Sequence, residues 1–210
     1  MEKPKVAFLI PAYGSIGLQS WTSHINLIMN AGKFCSLNFI IYSSSIIHKA
    51  RNTLVEMFIE ADKQMGFDYA FWLDSDIVFS PEHCEKLIEK IRENPGTIVS
   101  GLYLNQAGNS IKPMATIYSR EEDRYDFVER GELEKELIEV DGGGLGFTIQ
   151  TAESLMKMVK EHGKLFGFRT SKRGTMIGED NYFFELAKKQ GYKVMLAPKI
   201  KVGHEKAMVI

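Results

Sequence analysis

An α/β domain with a mostly parallel central sheet, helices on its faces and a small antiparallel addition is the fold this sequence predicts. Through residue 101, short apolar runs alternate with helix-length amphipathic segments, the pattern of parallel strands joined by crossover helices. The chain has 210 residues, enough for one sizeable core and too few for two comfortable ones. Apolar content of 44% and charged content of 25% are those of an ordinary globular protein. No repeat, low-complexity tract or interdomain linker interrupts it, so 1–210 is expected to be one domain.

Lys5–Ile10 reads as the first strand, ending at Pro11-Ala12-Tyr13-Gly14. Ser20–Ala31 is a helix whose apolar spacing puts Trp21, Ile25, Ile28 and Met29 on one face. Asn38–Tyr42 is the second strand, followed by the turn residues Ser43-Ser44-Ser45. Lys49–Met65 is a helix stopped by Gly66. Tyr69–Leu73 is the third strand, and Ser80-Pro81-Glu82 caps a helix over Pro81–Glu93 with Leu87, Ile88 and Ile91 inward. Thr97–Gly101 is the fourth strand. After Tyr103 the pattern changes: Met114–Tyr118, Asp126–Glu129 and Leu137–Val140 are short strands around an acidic connection. Gly142-Gly143-Gly144-Leu145-Gly146-Phe147 opens a helical stretch, Ala152–Glu161. Phe166–Arg169 is a short apolar piece before the loop Thr170–Gly178, a helix over Asn181–Gln190 and a last strand, Lys193–Ala197.

The third strand runs into Asp74-Ser75-Asp76. Two carboxylates at the end of a buried strand are costly unless a cation or strong donors meet them. Strand ends are also where open α/β sheets bind ligands. A divalent metal carrying a phosphorylated ligand fits; the alternative is that Asp74 caps a turn and Asp76 is solvated. Net charge is −1, which gives no global case for nucleic acid. Acids crowd residues 119–139 and bases residues 157–206, Lys206 among them. These read as solvated faces, or as help in holding an anionic ligand. Cys35 and Cys84 have neither metal spacing nor a disulfide framework and read as small core residues. Val6–Ile10 is too short for a signal peptide, and no run approaches the ~20 apolar residues of a membrane span. A cytoplasmic protein without lectin or membrane anchor is expected.

Taken in order, Ile10-Pro11-Ala12-Tyr13, His48-Lys49-Ala50-Arg51-Asn52, Trp72-Leu73-Asp74-Ser75-Asp76, the glycine run 142–146, Gly178-Glu179-Asp180 and Gly203-His204 resemble nucleotide-sugar glycosyltransferases of the GT-A fold. Ala-Arg-Asn followed some twenty residues on by Trp-Leu-Asp-Ser-Asp looks most like the group of fungal mannan polymerase subunits and short phage or bacterial relatives. The resemblance spans nearly the whole chain. It implies a single GT-A (Rossmann-like) domain with a nucleotide-binding half, 1–101, and an acceptor-side half, 102–210. It also implies Mn²⁺, or Mg²⁺ in its place, a chemistry suited to carboxylate, imidazole and phosphate donors.

By the same resemblance Asp76 coordinates the metal, Asp74 contacts ribose or metal, and His204 is the third protein ligand. Pro11, Ala12 and Tyr13 lie where the base is expected, and Tyr13 could stack on it or simply pack. Arg51 and Asn52 help bind the nucleotide, or Arg51 is an exposed helix residue. Asp74 and Ser75 belong to the donor site, and Gly143 and Gly144 place backbone amides beneath the sugar, or make a tight turn. Asp180 is the catalytic acid or base, with Glu179 oriented to sugar or acceptor; Asp180 as a helix cap is the plain alternative. The donor is a UDP- or GDP-sugar. Glycan, protein, lipid-linked saccharide and hydroxymethylated phage DNA all remain open as acceptors. Ser119–Glu139 and Thr170–Ile177 read as the acceptor side, ordering on donor binding, with Lys172 and Arg173 closing over the diphosphate.

Three rivals stand beside this reading. A haloacid-dehalogenase-type phosphatase also uses Asp-x-Asp after a strand, but usually on the N-terminal strand. A nucleotidylyltransferase would open with a glycine-rich basic loop, where this chain has Pro11-Ala12-Tyr13-Gly14. A non-catalytic sugar-nucleotide-binding module would not need the acidic pair, Glu-Asp and His together.

Overall fold

The computed structural model describes residues 2–107 and 110–205; Lys206 lies outside them. In chain order the first half holds β1 (Lys5–Ala12), α1 (Leu18–Asn30), β2 (Ser36–Ser43), α2 (Ile47–Met65), β3 (Tyr69–Leu73), β4 (Ile77–Val78), α3 (Pro81–Glu93) and β5 (Thr97–Leu102). Short strands follow: β6 (Leu104–Ala107), β7 (Ser110–Pro113), β8 (Ala115–Ser119), β9 (Arg124–Phe127), β10 (Ile138–Val140), β11 (Gly142–Gly143) and β12 (Phe147–Thr151). The chain continues with α4 (Ala152–His162), β13 (Arg169–Thr170), β14 (Met176–Ile177), α5 (Glu179–Lys189), β15 (Lys193–Lys201) and β16 (Gly203–His204).

Seven strands form the main sheet in the order β10-β15-β5-β12-β3-β1-β2. β2, β1 and β3 are mutually parallel, as are β5 and β15, while β12 and β10 run against their neighbours. The expected α/β fold is therefore observed, with β8, β9 and β11 as a separate small antiparallel sheet. β1 and β3 are buried through their centres because both sheet faces are covered. Leu27 of α1 and Cys84, Leu87, Ile88 and Ile91 of α3 cover one face. Leu54, Val55 and Phe58 of α2, Leu155 and Met158 of α4, and Phe183 and Phe184 of α5 cover the other. Both cysteines are in the core, and burial pushes the Cys35 thiol up to about 12.

The structure corrects the sequence reading in two places that bear on the site. Gly142–Phe147 does not lead straight into a helix: β12 intervenes and lies antiparallel in the middle of the sheet. Its residues Phe147-Thr148-Ile149-Gln150-Thr151 alternate with period two and are rich in β-formers, a strand signal in their own right. The second correction is α1, which buries Ser20, Ser23, His24 and Leu27 and leaves Trp21, Ile28 and Met29 exposed. Specific polar fixings outweigh the apolar stripe here. Ser23 Oγ accepts the Phe79 N–H at 3.0 Å, and the His24 ring meets the Phe79 ring edge-on at 5.5 Å.

The uneven charge is also resolved. Arg169 pairs with Asp123 and Glu185, Arg173 with Glu122, Lys193 with Glu139 and Lys199 with Glu134. Part of the acidic connection is thus paired with part of the basic C-terminal third. No helix among the described residues is long and apolar enough to cross a membrane.

Candidate active site

Parallel strands deliver the candidate residues to one end of the sheet. Asp74 leaves β3 in the crevice beside β1, where the strand order reverses, the usual ligand position in such sheets. Its N–H donates to Gly146 O at 2.9 Å, so the β12 side holds the turn that follows. β4 then pairs antiparallel with β16, which sets His204 opposite Ile77. That pairing brings His204 Nε2 to 2.9 Å from Asp76 Oδ2, joining residues 128 apart in sequence. Asp76 remains 46% exposed, whereas His204 is 14% exposed and its buried Nδ1 has no partner among the described residues.

Arg51, near the start of α2, is the hub of the site. Its side chain is 2% exposed, and Nη2 lies 3.1 Å from both carboxylate oxygens of Asp74. Nη1 reaches Glu179 Oε1 at 3.5 Å and contacts Asp180 Oδ1. One guanidinium thus faces three carboxylates, a task suited to its planar fork. Burial pushes the Asp74 carboxyl above its ordinary range; Arg51 opposes that shift and Asp76 adds to it. Counting Asp76, four carboxylates share the site with one arginine. That imbalance favours a bound cation.

The glycine run has a packing role that the sequence reading gave only as an alternative. Gly143 N–H donates to Asn181 Oδ1 at 3.1 Å, Gly144 N–H to Met114 O at 3.3 Å, Leu145 N–H to Asp180 Oδ2 at 3.1 Å and Gly146 N–H to Tyr103 Oη at 3.1 Å. Each of these amides has a partner within the protein itself. A Cβ on Gly143 would sit 2.5 Å from Met114 O, and one on Gly146 2.6 Å from Asp74 Oδ2. Gly143→Ala is expected to cost about 1–3 kcal/mol in urea denaturation, because its obstacle is backbone. Gly167→Ala, whose nearest neighbour is Tyr182 at 3.5 Å, should stay within about 0.5 kcal/mol. Equal losses would mean that close packing does not set the requirement.

Two further candidates have partners within the protein. Asn52 is used within the protein. Its amide donates to His48 O at 2.9 Å and Phe166 O at 2.7 Å, and its oxygen accepts the Leu165 and Phe166 N–H groups at 3.2 Å. Its polar capacity is filled without a ligand. Arg51 is not an exposed helix residue, its side chain being enclosed by the three carboxylates. In the loop after Thr170, Arg173 pairs with Glu122 at 2.5 Å, and the Lys172 N–H donates to Asp123 Oδ2 at 2.6 Å. That loop is pinned by its own hairpin and by Asp123, whose carboxyl the Tyr118 hydroxyl and Lys172 amide hold down to about 2.

Pro11 is buried in β1, Ala12 ends that strand, Tyr13 projects at 72% exposure, and Ser75 sits between the two aspartates. The sequence reading missed Tyr103 and Asn181. Tyr103 is buried, with its ring 5.5 Å from that of His204, and burial followed by the Asp74 charge keeps its phenol protonated. Its signal was available as a tyrosine just past the end of a buried strand.

The glycosyl transferase family 2 model matches residues 44–152, just over half of the chain. No curated protein matches the sequence. Among solved structures, the crystal structure of A197 from STIV aligns with a TM-score of 0.62 and 22% identity, covering 98% of this chain and 96% of that one. The crystal structure of GalNAc-T7 with UDP, GalNAc and Mn²⁺ also aligns with a TM-score of 0.62, at 9% identity. It is covered over 44% of its length, against 98% of this chain. Both likenesses concern the fold. The arrangement of Asp74, Asp76, Asp180 and His204 at the strand ends lies in a chain that belongs to glycosyl transferase family 2.

Proposed function

We propose that this protein is a metal-dependent glycosyltransferase that moves a sugar from a UDP- or GDP-sugar to an acceptor hydroxyl. The observation that carries the reading is the Asp76–His204 pair, brought together by β4 and β16 beside a site with excess negative charge. Mn²⁺, or Mg²⁺ in its place, fits these donors: a carboxylate open to solvent and the imidazole nitrogen, Nε2, that faces it. Asp74 is committed to Arg51 and serves the donor site through that pair. Among the described residues no three His, Cys, Asp or Glu side chains form a ready cage. Two protein ligands suffice for an ion that completes its shell with substrate phosphates and water. When bound, such an ion offsets the charge that grows on the departing diphosphate.

The chain's own residues supply the rest. Asp180 accepts the acceptor hydroxyl's proton as the new oxygen–C1 bond forms and the C1–diphosphate bond breaks. Arg51 Nη1 contacts one oxygen of Asp180, and the Leu145 N–H fixes the other, so the carboxylate is held in one orientation. Glu179 lies beside it, toward sugar or acceptor. Tyr13, exposed after β1, is placed to meet the base. The acceptor is a hydroxyl of a glycan, protein, lipid-linked saccharide or modified DNA, and a cytoplasmic setting is part of the same proposal. The finer likeness to fungal mannan polymerase subunits rests on Ala50-Arg51-Asn52 and Trp72–Asp76.

The deciding experiment is donor hydrolysis over UDP-, GDP-, dTDP- and CDP-sugars, with and without Mn²⁺, scored as released nucleoside diphosphate. One donor is expected to respond to the metal, and Asp76→Asn should abolish the response. Release of inorganic phosphate instead, or loss of both metal-dependent hydrolysis and metal-dependent nucleotide binding, would overturn the transferase reading in favour of a phosphatase.

A further inference from the structure

The structure assigns to Glu205 the role of a positioning residue that couples the Asp76–His204 pair to the first turn of α1 and the loop ahead of it. The inference rests on Asp76 and His204 as cation ligands and goes beyond that reading by linking their occupancy to another element. Glu205 follows His204 directly, and its backbone N–H donates to Asp76 O at 2.7 Å. Its side chain points away to α1. Oε2 accepts the Ser20 N–H at 3.0 Å and the Ser20 hydroxyl at 2.8 Å. One residue therefore grips the acidic turn with its backbone and α1 with its carboxylate.

The helix is built to receive this contact. Its N-cap is Gly17, no side chain caps it locally, and no acidic residue occupies its first turn. The carboxylate of Glu205, 185 residues from Ser20, supplies the missing anionic cap. Gly17 leaves the space for it: a Cβ there would overlap the Glu205 carboxylate, 2.2 Å from Oε2. The turn Asp74–Asp76, β16 and the start of α1 thus form one mechanical unit. The loop from Tyr13 to Gly17, which joins β1 to this helix, is anchored at its far end by the same carboxylate. A shift of Asp76 and His204 onto a cation is transmitted to α1 through a single peptide unit. By reciprocity, ordering α1 favours the cation.

The test uses the full chain with Mn²⁺ alone. Amide hydrogen exchange of Leu18–Trp21 is followed with and without the ion, and Mn²⁺ affinity is read from the loss of the free-ion paramagnetic resonance signal. In the unaltered protein Mn²⁺ should slow exchange in that turn. Glu205→Ala should remove the protection and weaken Mn²⁺ binding about fivefold or more. Glu205→Gln keeps an oxygen acceptor and should restore part of both. Mn²⁺ bound without protection of the α1 turn, or Glu205→Ala with lowered thermal stability but unchanged Mn²⁺ affinity, would reduce Glu205 to a helix cap. Asp76→Asn separates the two levels: if it binds Mn²⁺ as tightly as the unaltered protein, the cation-site reading itself fails.

Discussion

Arg51→Met is expected to lower the free energy of unfolding by about 3 kcal/mol, among the largest losses any single substitution here should cause. The methionine keeps an apolar stem of similar length but leaves Asp74, Glu179 and Asp180 facing one another without a counter-charge. For a chain of this size that corresponds to a melting-temperature drop of about 6–12 °C, measurable by calorimetry. Arg51→Lys should recover only part of it, because an ammonium cannot bridge three carboxylates with fixed geometry. The effect should depend on pH in a defined direction. Burial already raises the Asp74 carboxyl, and losing Arg51 removes the main influence opposing that rise. A raised folded-state value means the folded protein binds the proton more tightly than the unfolded chain does. The penalty is then full above the raised value and shrinks as pH falls toward the ordinary carboxylate range. A loss under about 1 kcal/mol at neutral pH would show that water alone satisfies the three carboxylates.

Asp180→Asn should act on the reaction more than on the fold. Asparagine still offers an oxygen to the Leu145 N–H, but it cannot take a proton. The turnover number is expected to fall about 10²–10⁴-fold with little change in the Michaelis constant for the donor, as for loss of a general base. Steady-state transfer with the donor identified by the hydrolysis panel reads both constants. A fall of less than tenfold would move the base to Glu179, the neighbouring carboxylate that also reaches Arg51.

How far the sequence foretold these features follows from what kind of signal each one has. The β1 and β3 runs are apolar through their centres and bounded by turn residues, so burial on both faces could be read directly. Gly66 as the stop of α2 was equally plain, and it adopts the left-handed conformation that glycine permits, with φ of 59°. The face of α1 was misread because hydrophobic spacing says nothing of Ser23 holding Phe79 or Ser20 receiving Glu205. Arg51 and Asn52 were identified as important, but their roles were not legible. A chain of letters does not show that an arginine near the start of a helix faces inward onto three acids. It likewise does not show that an asparagine bolts down residues 165 and 166. The glycine run was recognised as a place of close approach. What approaches it, Tyr103, Met114 and Asp74, arrives from other strands and becomes visible only once they are assembled.

The insertion of β12 between β3 and β5 also governs the order in which the molecule can form. Leu73 waits for Phe147, and Val99 has Ile149 on one side and Met195 on the other. Early in synthesis the trio β2-β1-β3 can pair by itself, but it ends in an apolar edge at β3 with nothing beside it. β5 has no partner at all until the second half emerges. Loop-closure entropy must be overcome before these distant pairings return any stability, which places folding on the slow, millisecond-to-second side of the range. An unpaired apolar edge invites strangers as readily as β12. The strand that completes the candidate-site end of the sheet is therefore also the one that covers this edge of the growing chain.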